Sequence, residues 1–101
     1  MTYKYEILRE AQVEIDSIIA YLVSLAGDPV VARAFLDEFH KQVALVCSNP
    51  TLFGLSRMPE LAALGYRTFF VKNYVVIYFV RGDSVYIAHV FHQRQDYARL
   101  I

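Results

Sequence analysis

A single cysteine, Cys47, in a chain of 101 residues excludes an intramolecular disulfide and any cysteine-based zinc site. That scarcity fits a reducing compartment. Long apolar runs are also missing. The longest, Tyr74 to Val80, has seven residues, against the ~20 a membrane helix needs. The opening MTYKYEILRE carries charges where a secretory leader needs its apolar centre, so the expectation is a soluble, cytoplasmic protein. There are no internal repeats, low-complexity stretches, glycine-rich phosphate loops, nucleophile elbows or zinc-finger spacings. Three scattered histidines, His40, His89 and His92, give no metal-ligand pattern, so neither a metal nor a cofactor is expected.

The formal net charge is zero, but it is unevenly spread. Residues 1–60 hold five Lys/Arg against eight Asp/Glu, and residues 61–101 hold five against two. The last third is therefore the basic side, where anionic partners would settle. Apolar residues make up 56% and aromatics 15%, enough for one compact core, and the length allows a single domain spanning 1–101.

Tyr3 to Leu8 alternates and reads as a short strand. From Glu10 the period changes. Ala11, Ile15, Ile18, Ile19, Leu22, Leu25 and Ala26 form the apolar stripe of a first helix, ended by Gly27. Asp28-Pro29 starts a second helix, with Asp28 as cap. Its stripe is Ala32, Phe35, Leu36, Phe39, Val43, Val46 and Cys47, and Asn49-Pro50 stops it. So short a joint makes the two helices an antiparallel hairpin. Thr51 to Leu64 reads as a connector with one helical turn near Pro59-Glu60-Leu61. Three runs follow, Tyr66–Lys72, Tyr74–Val80 and Val85–Phe91, rich in residues that fit a pleated surface. Asn73 suits a left-handed turn, and Arg81-Gly82-Asp83-Ser84 has hairpin chemistry. The middle run is apolar on both faces and so central. Tyr97–Ile101 allows one helical turn capped by Asp96. The expected fold is α+β, in the order β-α-α-β-β-β. A mainly antiparallel sheet carries the helical hairpin on one face and leaves the other open.

Reactive side chains gather in the knot His92-Gln93-Arg94-Gln95-Asp96-Tyr97. Strand alternation puts His92 with Tyr86, Ala88 and Val90, and His89 on the other face. His92 is a candidate acid or base; its plain alternative is a rim histidine with a satisfied hydrogen bond. Arg94 and Arg67 offer planar forks for phosphate or carboxylate; their plain alternative is an ion pair such as Arg94 with Asp96. Tyr97 and Arg99 are candidates to flank the same site; their plain alternatives are a packing ring for Tyr97 and a solvated charge for Arg99. His40, among polar neighbours on the second helix, reads as a surface residue. The tripeptide Arg81-Gly82-Asp83 reads as turn chemistry.

The stretch GYRTFFVKNYVVIYFV…VYIAHVFHQRQDY, ending in His92-x-Arg94-x-Asp96, resembles the RelE/ParE superfamily of toxins from bacterial type II toxin–antitoxin modules, closer to the ParE type. The resemblance spans the whole chain. It implies a toxin neutralised by a cognate antitoxin. ParE-like members poison DNA gyrase by binding it. RelE-like members cut mRNA at the ribosome with a cluster of Lys, Arg and a tyrosine. Aligned approximately, Arg67, Phe69 and Val75 stand where RelE-type strands carry cations, and Arg94 matches the later catalytic Arg. Two of the three strand positions are apolar. The implied function is therefore ParE-like growth arrest through gyrase. The alternatives are an mRNA endonuclease using His92, Arg94, Arg67 and Tyr97, and a degenerate toxin that only binds. The antitoxin is expected in the groove between hairpin and sheet, by strand addition or as a docked helix. Val13, Tyr21 and Val23 on the first helix are candidate contacts, with Arg67, Arg94 and Arg99 on the basic side.

Overall fold

The computed structural model describes residues 2–51, 53–95 and 97–101. Its elements run β1 (Lys4–Ile7), α1 (Arg9–Ala26), α2 (Val30–Ser48), α3 (Pro59–Ala63), β2 (Arg67–Val71), β3 (Tyr74–Arg81) and β4 (Ser84–His92), closed by a 3-10 turn at Tyr97–Arg99. The expected order holds, and α3 forms where the connector's helical turn was expected. The fold is α+β. Strands lie in the order β1-β4-β3-β2, with β1 parallel to β4 and the other two pairs antiparallel. The doubly apolar β3 is interior as expected. β4 is interior too, because β1 is laid along its far edge.

α1 buries Ala11, Ile15 and Ile18 and ends at Gly27, whose φ of 76° needs no Cβ and whose N–H donates to the Val23 carbonyl. The apolar period also assigned Leu25 and Ala26 to the core. Both are exposed, Leu25 at 70%, because the last turn of α1 stands beside the β2–β3 turn rather than over a strand. The N-cap of α2 is Pro29 rather than Asp28, so the helix begins one residue later than expected, and Asp28 sits one residue before the cap with its Oδ1 accepting the Val30 N–H at 2.7 Å. The stripe of α2 is buried as expected, with Leu36 half-buried.

The hairpin packs on one face of the sheet. There Ile15, Ile18, Phe35, Phe39, Val43 and Val46 meet Phe69, Val71, Val76, Tyr78, Val85, Ile87 and Val90. The opposite, outer face is not left open. Leu61 from α3 and Tyr97 from the 3-10 turn cover Val75, Ile77 and Phe91. The reason lies in β3 itself: an apolar strand on both faces needs a cover on both, as burial of each such side chain stabilises by roughly 1.5–3 kcal/mol.

Two local features differ from the sequence pattern. The positive φ in the β2–β3 turn belongs to Lys72, at 54°, rather than to Asn73. Second, Ile77 pairs with His89 while Tyr78 pairs with Ile87, leaving Ala88 as an extra residue. This β-bulge inverts the alternation beyond it. Val90 thus shares the helix side with Val85 and Ile87, and His92 stands there with its partner Tyr74. His89 stacks on Phe91 on the outer face, ring centroids 5.1 Å apart. The expected grouping of His92 with Tyr86 is corrected accordingly.

Tyr78 is fully buried, and its hydroxyl donates to the Pro50 carbonyl at 2.9 Å. Burial pushes its pKa up to about 12, partly opposed by Arg67. Between pH 10 and 12 an unfolded phenol ionises while the folded one keeps its proton, so the unfolded state binds fewer protons. Stability present below pH 10 should then fall by roughly 1.4 kcal/mol per pH unit as pH rises through this window. Urea midpoints at pH 9 and pH 11 check this; the drop should be smaller in Tyr78→Phe.

Candidate partner-binding and catalytic positions

β4 delivers His92 to the end of the sheet beside the β2–β3 turn. Its ring stands edge-on to Tyr74 at 5.4 Å. Its Nδ1 accepts the Arg94 N–H at 3.1 Å, so the neutral ring carries its proton on Nε2. The His92 N–H donates to Gln95 Oε1 at 2.8 Å, and the Gln93 N–H donates to the Asn73 carbonyl at 2.9 Å. These bonds tie the turn after β4 to the turn between β2 and β3. Arg94 is exposed on this turn. Asp96, expected as a cap and as an ion-pair partner for Arg94, lies outside the described residues.

Arg67 is elsewhere. It pairs across the sheet with Tyr78, whereas His92 pairs with Tyr74. Four residues along β3 amount to on the order of 13 Å, with two strand spacings to cross as well. Arg67 therefore does not converge with His92 and Arg94. Its guanidinium Nη1 donates to the Phe53 carbonyl at 2.8 Å, which holds the connector beside the Tyr78–Pro50 bond. Tyr97 packs under the outer face, 7% exposed and stacked on Phe91 at 6.5 Å. Arg99 is exposed in the closing turn, and His40 is exposed on α2 with its Nδ1–H donated to the Leu36 carbonyl.

Pairing also changes the reading of the strand positions. Arg67 and Phe69 face the helices with Tyr78 and Val76, while Val75 faces outward with Ile77. The three positions aligned with RelE-type cations thus do not share a face. Among the described strand residues of β2, β3 and β4, the outer face carries one Lys or Arg. It is Arg81, at the end of β3, with its guanidinium 5.3 Å from the centre of the Phe79 ring.

A cavity of about 310 Å³ opens between the hairpin and the β2–β3 turn, lined by Tyr21, Leu22, Leu25, Val31, Phe35, Lys72, Asn73, Tyr74 and His92. Burial raises the Tyr74 pKa, and the neighbouring Tyr21 phenol adds to the shift. Of the first-helix contacts expected from sequence, Val13 and Tyr21 are 57% and 58% exposed, and Val23 is half-buried. Among the described residues no group of three or more His, Cys, Asp or Glu could hold a metal, and no helix is long and apolar enough to cross a membrane.

Sequence reasoning missed Glu14. β1 ends at Ile7, and the last bond on that side of β4 runs from the Leu8 N–H to the Ile87 carbonyl. Beyond it, Glu14 of α1 takes the place of a strand. Its Oε1 accepts the Val90 N–H at 2.9 Å, and its Oε2 lies 3.0 Å from His89 Nδ1. No sequence signal marks this role, since it exists only because β1 is shorter than β4.

The family model of the ParE toxin of type II toxin–antitoxin systems (parDE) matches residues 5–97. Among solved structures, the chain is similar to one from the chromosomal ParDE system of P. aeruginosa, with a TM-score of 0.71, 21% identity, and 90% of this chain and 96% of that one covered. It is also similar to a chain of the RelBE2 toxin–antitoxin complex of Mycobacterium tuberculosis, with a TM-score of 0.58, 16% identity, and 91% and 99% covered. At such identities these two likenesses speak for the fold. No curated protein sequence matches.

Proposed function

Since the chain belongs to the ParE toxin family of type II toxin–antitoxin systems, we propose that it arrests growth by inhibiting DNA gyrase and is neutralised by a cognate antitoxin. The observation that carries gyrase over mRNA as target is that the cations of β2, β3 and β4 do not converge on one face of the sheet. RelE-type cleavage, as the resemblance describes it, needs Lys and Arg converging on one phosphate, where they offset the developing charge. Here Arg67 faces the helices, Arg81 sits at the strand's end, and Val75 and Ile77 fill the space between under Leu61 and Tyr97. This is a binding protein's surface, with a fully packed centre.

The candidate antitoxin contacts in this reading are Val13, Tyr21 and Val23 on α1, with Arg94 and Arg99 on the basic side, while Arg67 holds the connector through the Phe53 carbonyl. One observation favours a second reading, an mRNA endonuclease. His92 has its neutral tautomer fixed by the Arg94 N–H, so Nε2–H points away from that bond as a donor. Induction of the chain without antitoxin, followed by primer extension on translated mRNA, separates the two. The gyrase reading expects growth arrest with intact message in the wild type, His92→Ala and Arg94→Ala alike. New message cuts that vanish in both variants would overturn it. Harmless expression would favour a degenerate binding module.

A further inference from the structure

The two edges of the sheet are not alike. At the β2 edge the connector is bonded on: the Thr68 N–H donates to the Gly54 carbonyl at 3.4 Å, and the Ser56 N–H to the Tyr66 carbonyl at 2.9 Å. The other edge is β1, which has a neighbouring strand on one side only, β4. The Lys4 and Leu8 N–H groups donate to the Asp83 and Ile87 carbonyls on that side. Backbone groups alternate in direction along a strand, so those of Tyr5 and Ile7 point outward, as a template for a further strand. Side chains alternate between the faces as well. Tyr5, 46% exposed, stands on the helix side with its pair Val85, beside a hollow of about 290 Å³ lined also by Tyr3, Val43 and Cys47. Lys4 and Glu6 are exposed on the outer face beside Ser84 and Tyr86, and among the described residues neither is in an ion pair.

We infer that β1 pairs antiparallel with β1 of a second copy of this chain, Tyr5 opposite the partner's Tyr5, and so joins two four-stranded sheets into one. Charge selects both the occupant and the register. With the two-fold axis at Tyr5, Lys4 stands opposite the partner's Glu6 and Glu6 opposite the partner's Lys4, two cross-strand pairs of opposite sign. Moving the axis to Glu6 sets it against the partner's Glu6, and moving it to Lys4 sets that against the partner's Lys4. Like charges directly opposite each other are unfavourable. The favoured register also lets the two Tyr5 residues exchange both backbone bonds and brings their rings together beside the hollow. The joint is only a four-residue strand, well below the area of a standard interface, so the dimer exchanges with monomer and dissociates in the high micromolar range. Such pairing needs neither antitoxin nor target and stands apart from the toxin reading.

Sedimentation velocity on the whole purified chain, over about a hundredfold range of concentration reaching the millimolar, tests the pairing. The average mass should rise from that of one chain toward twice that value. Because the two-fold axis repeats every change, Lys4→Glu or Glu6→Lys reverses two charge pairs at once, and each should weaken self-association roughly tenfold or more. Circular dichroism should stay unchanged, since both positions are exposed. Lys4→Glu leaves two carboxylates on the strand and Glu6→Lys leaves two ammonium groups. An equal mixture of the two variants should therefore dimerise again, as should the chain carrying both substitutions. In the parent, hydrogen exchange at Tyr5 and Ile7 should slow as concentration rises, while exchange at Glu6, whose N–H faces β4, should not. A monomer throughout, a dimer indifferent to the charge changes, a mixture that stays monomeric, or protection that appears at Phe70 of β2 instead would overturn the inference.

Discussion

Phe35→Ala should destabilise the chain by about 3–5 kcal/mol, the usual cost of emptying a buried aromatic site. Phe35 is 1% exposed and sits where both layers meet. Its ring lies 6.4 Å from Phe39 on α2 and meets Tyr74 of β3 edge-on at 5.3 Å. Removing it separates the hairpin from the sheet end that carries His92 and takes away the floor of the adjoining cavity. Against a total of roughly 5–15 kcal/mol for a domain of this class, such a loss leaves the fold marginal at growth temperature. Urea denaturation monitored by circular dichroism should show a midpoint far below that of the parent. Leu25→Ala, at a 70% exposed position on the rim of the same cavity, should stay within about 0.5 kcal/mol. The contrast separates the buried core from the exposed rim.

Glu14→Ala has the second largest expected effect, about 2–4 kcal/mol. The physical reason is asymmetry: a polar group left without its partner costs more than the bond was worth. With Glu14 gone, the Val90 N–H loses its acceptor and His89 Nδ1 loses its carboxylate. Both lie just past the bulge at Ala88, where β1 no longer covers β4. Hydrogen exchange should report this locally. The Val90 amide, protected in the parent, should exchange much faster in the variant, while the Phe69 and Val76 amides slow or speed only with global stability.

Most of the fold was legible because its signals are local. The stripe Ala32, Phe35, Phe39, Val43, Val46 and Cys47 needs only the helical period, and all six residues are buried. The turn at Gly82 needs only a residue that tolerates a φ of 63°. What escaped depends on pairing between distant segments. The bulge at Ala88 is a register shift, invisible in β4 by itself, and it sends His89 and His92 to faces opposite to those alternation gave them. Glu14 escaped because nothing in the sequence says that β1 stops at Ile7. The knot after β4 was legible as a concentration of polar groups. Its geometry was not: Arg67 shares the basic half of the chain with His92 and yet lies at the other end of β3's register. The cover of the outer face by Leu61 and Tyr97 could have been inferred from β3, whose Val75 and Ile77 are as apolar as the side facing the helices.

The most direct measurement of the central claim is a supercoiling assay with purified gyrase, relaxed plasmid and ATP, titrated with the purified chain. The account predicts that supercoiling is lost and that gyrase-cleaved linear plasmid accumulates, equally for the parent and for His92→Ala. Full supercoiling at a large excess of the chain, together with cleavage of a translated message in a parallel reaction, would contradict it.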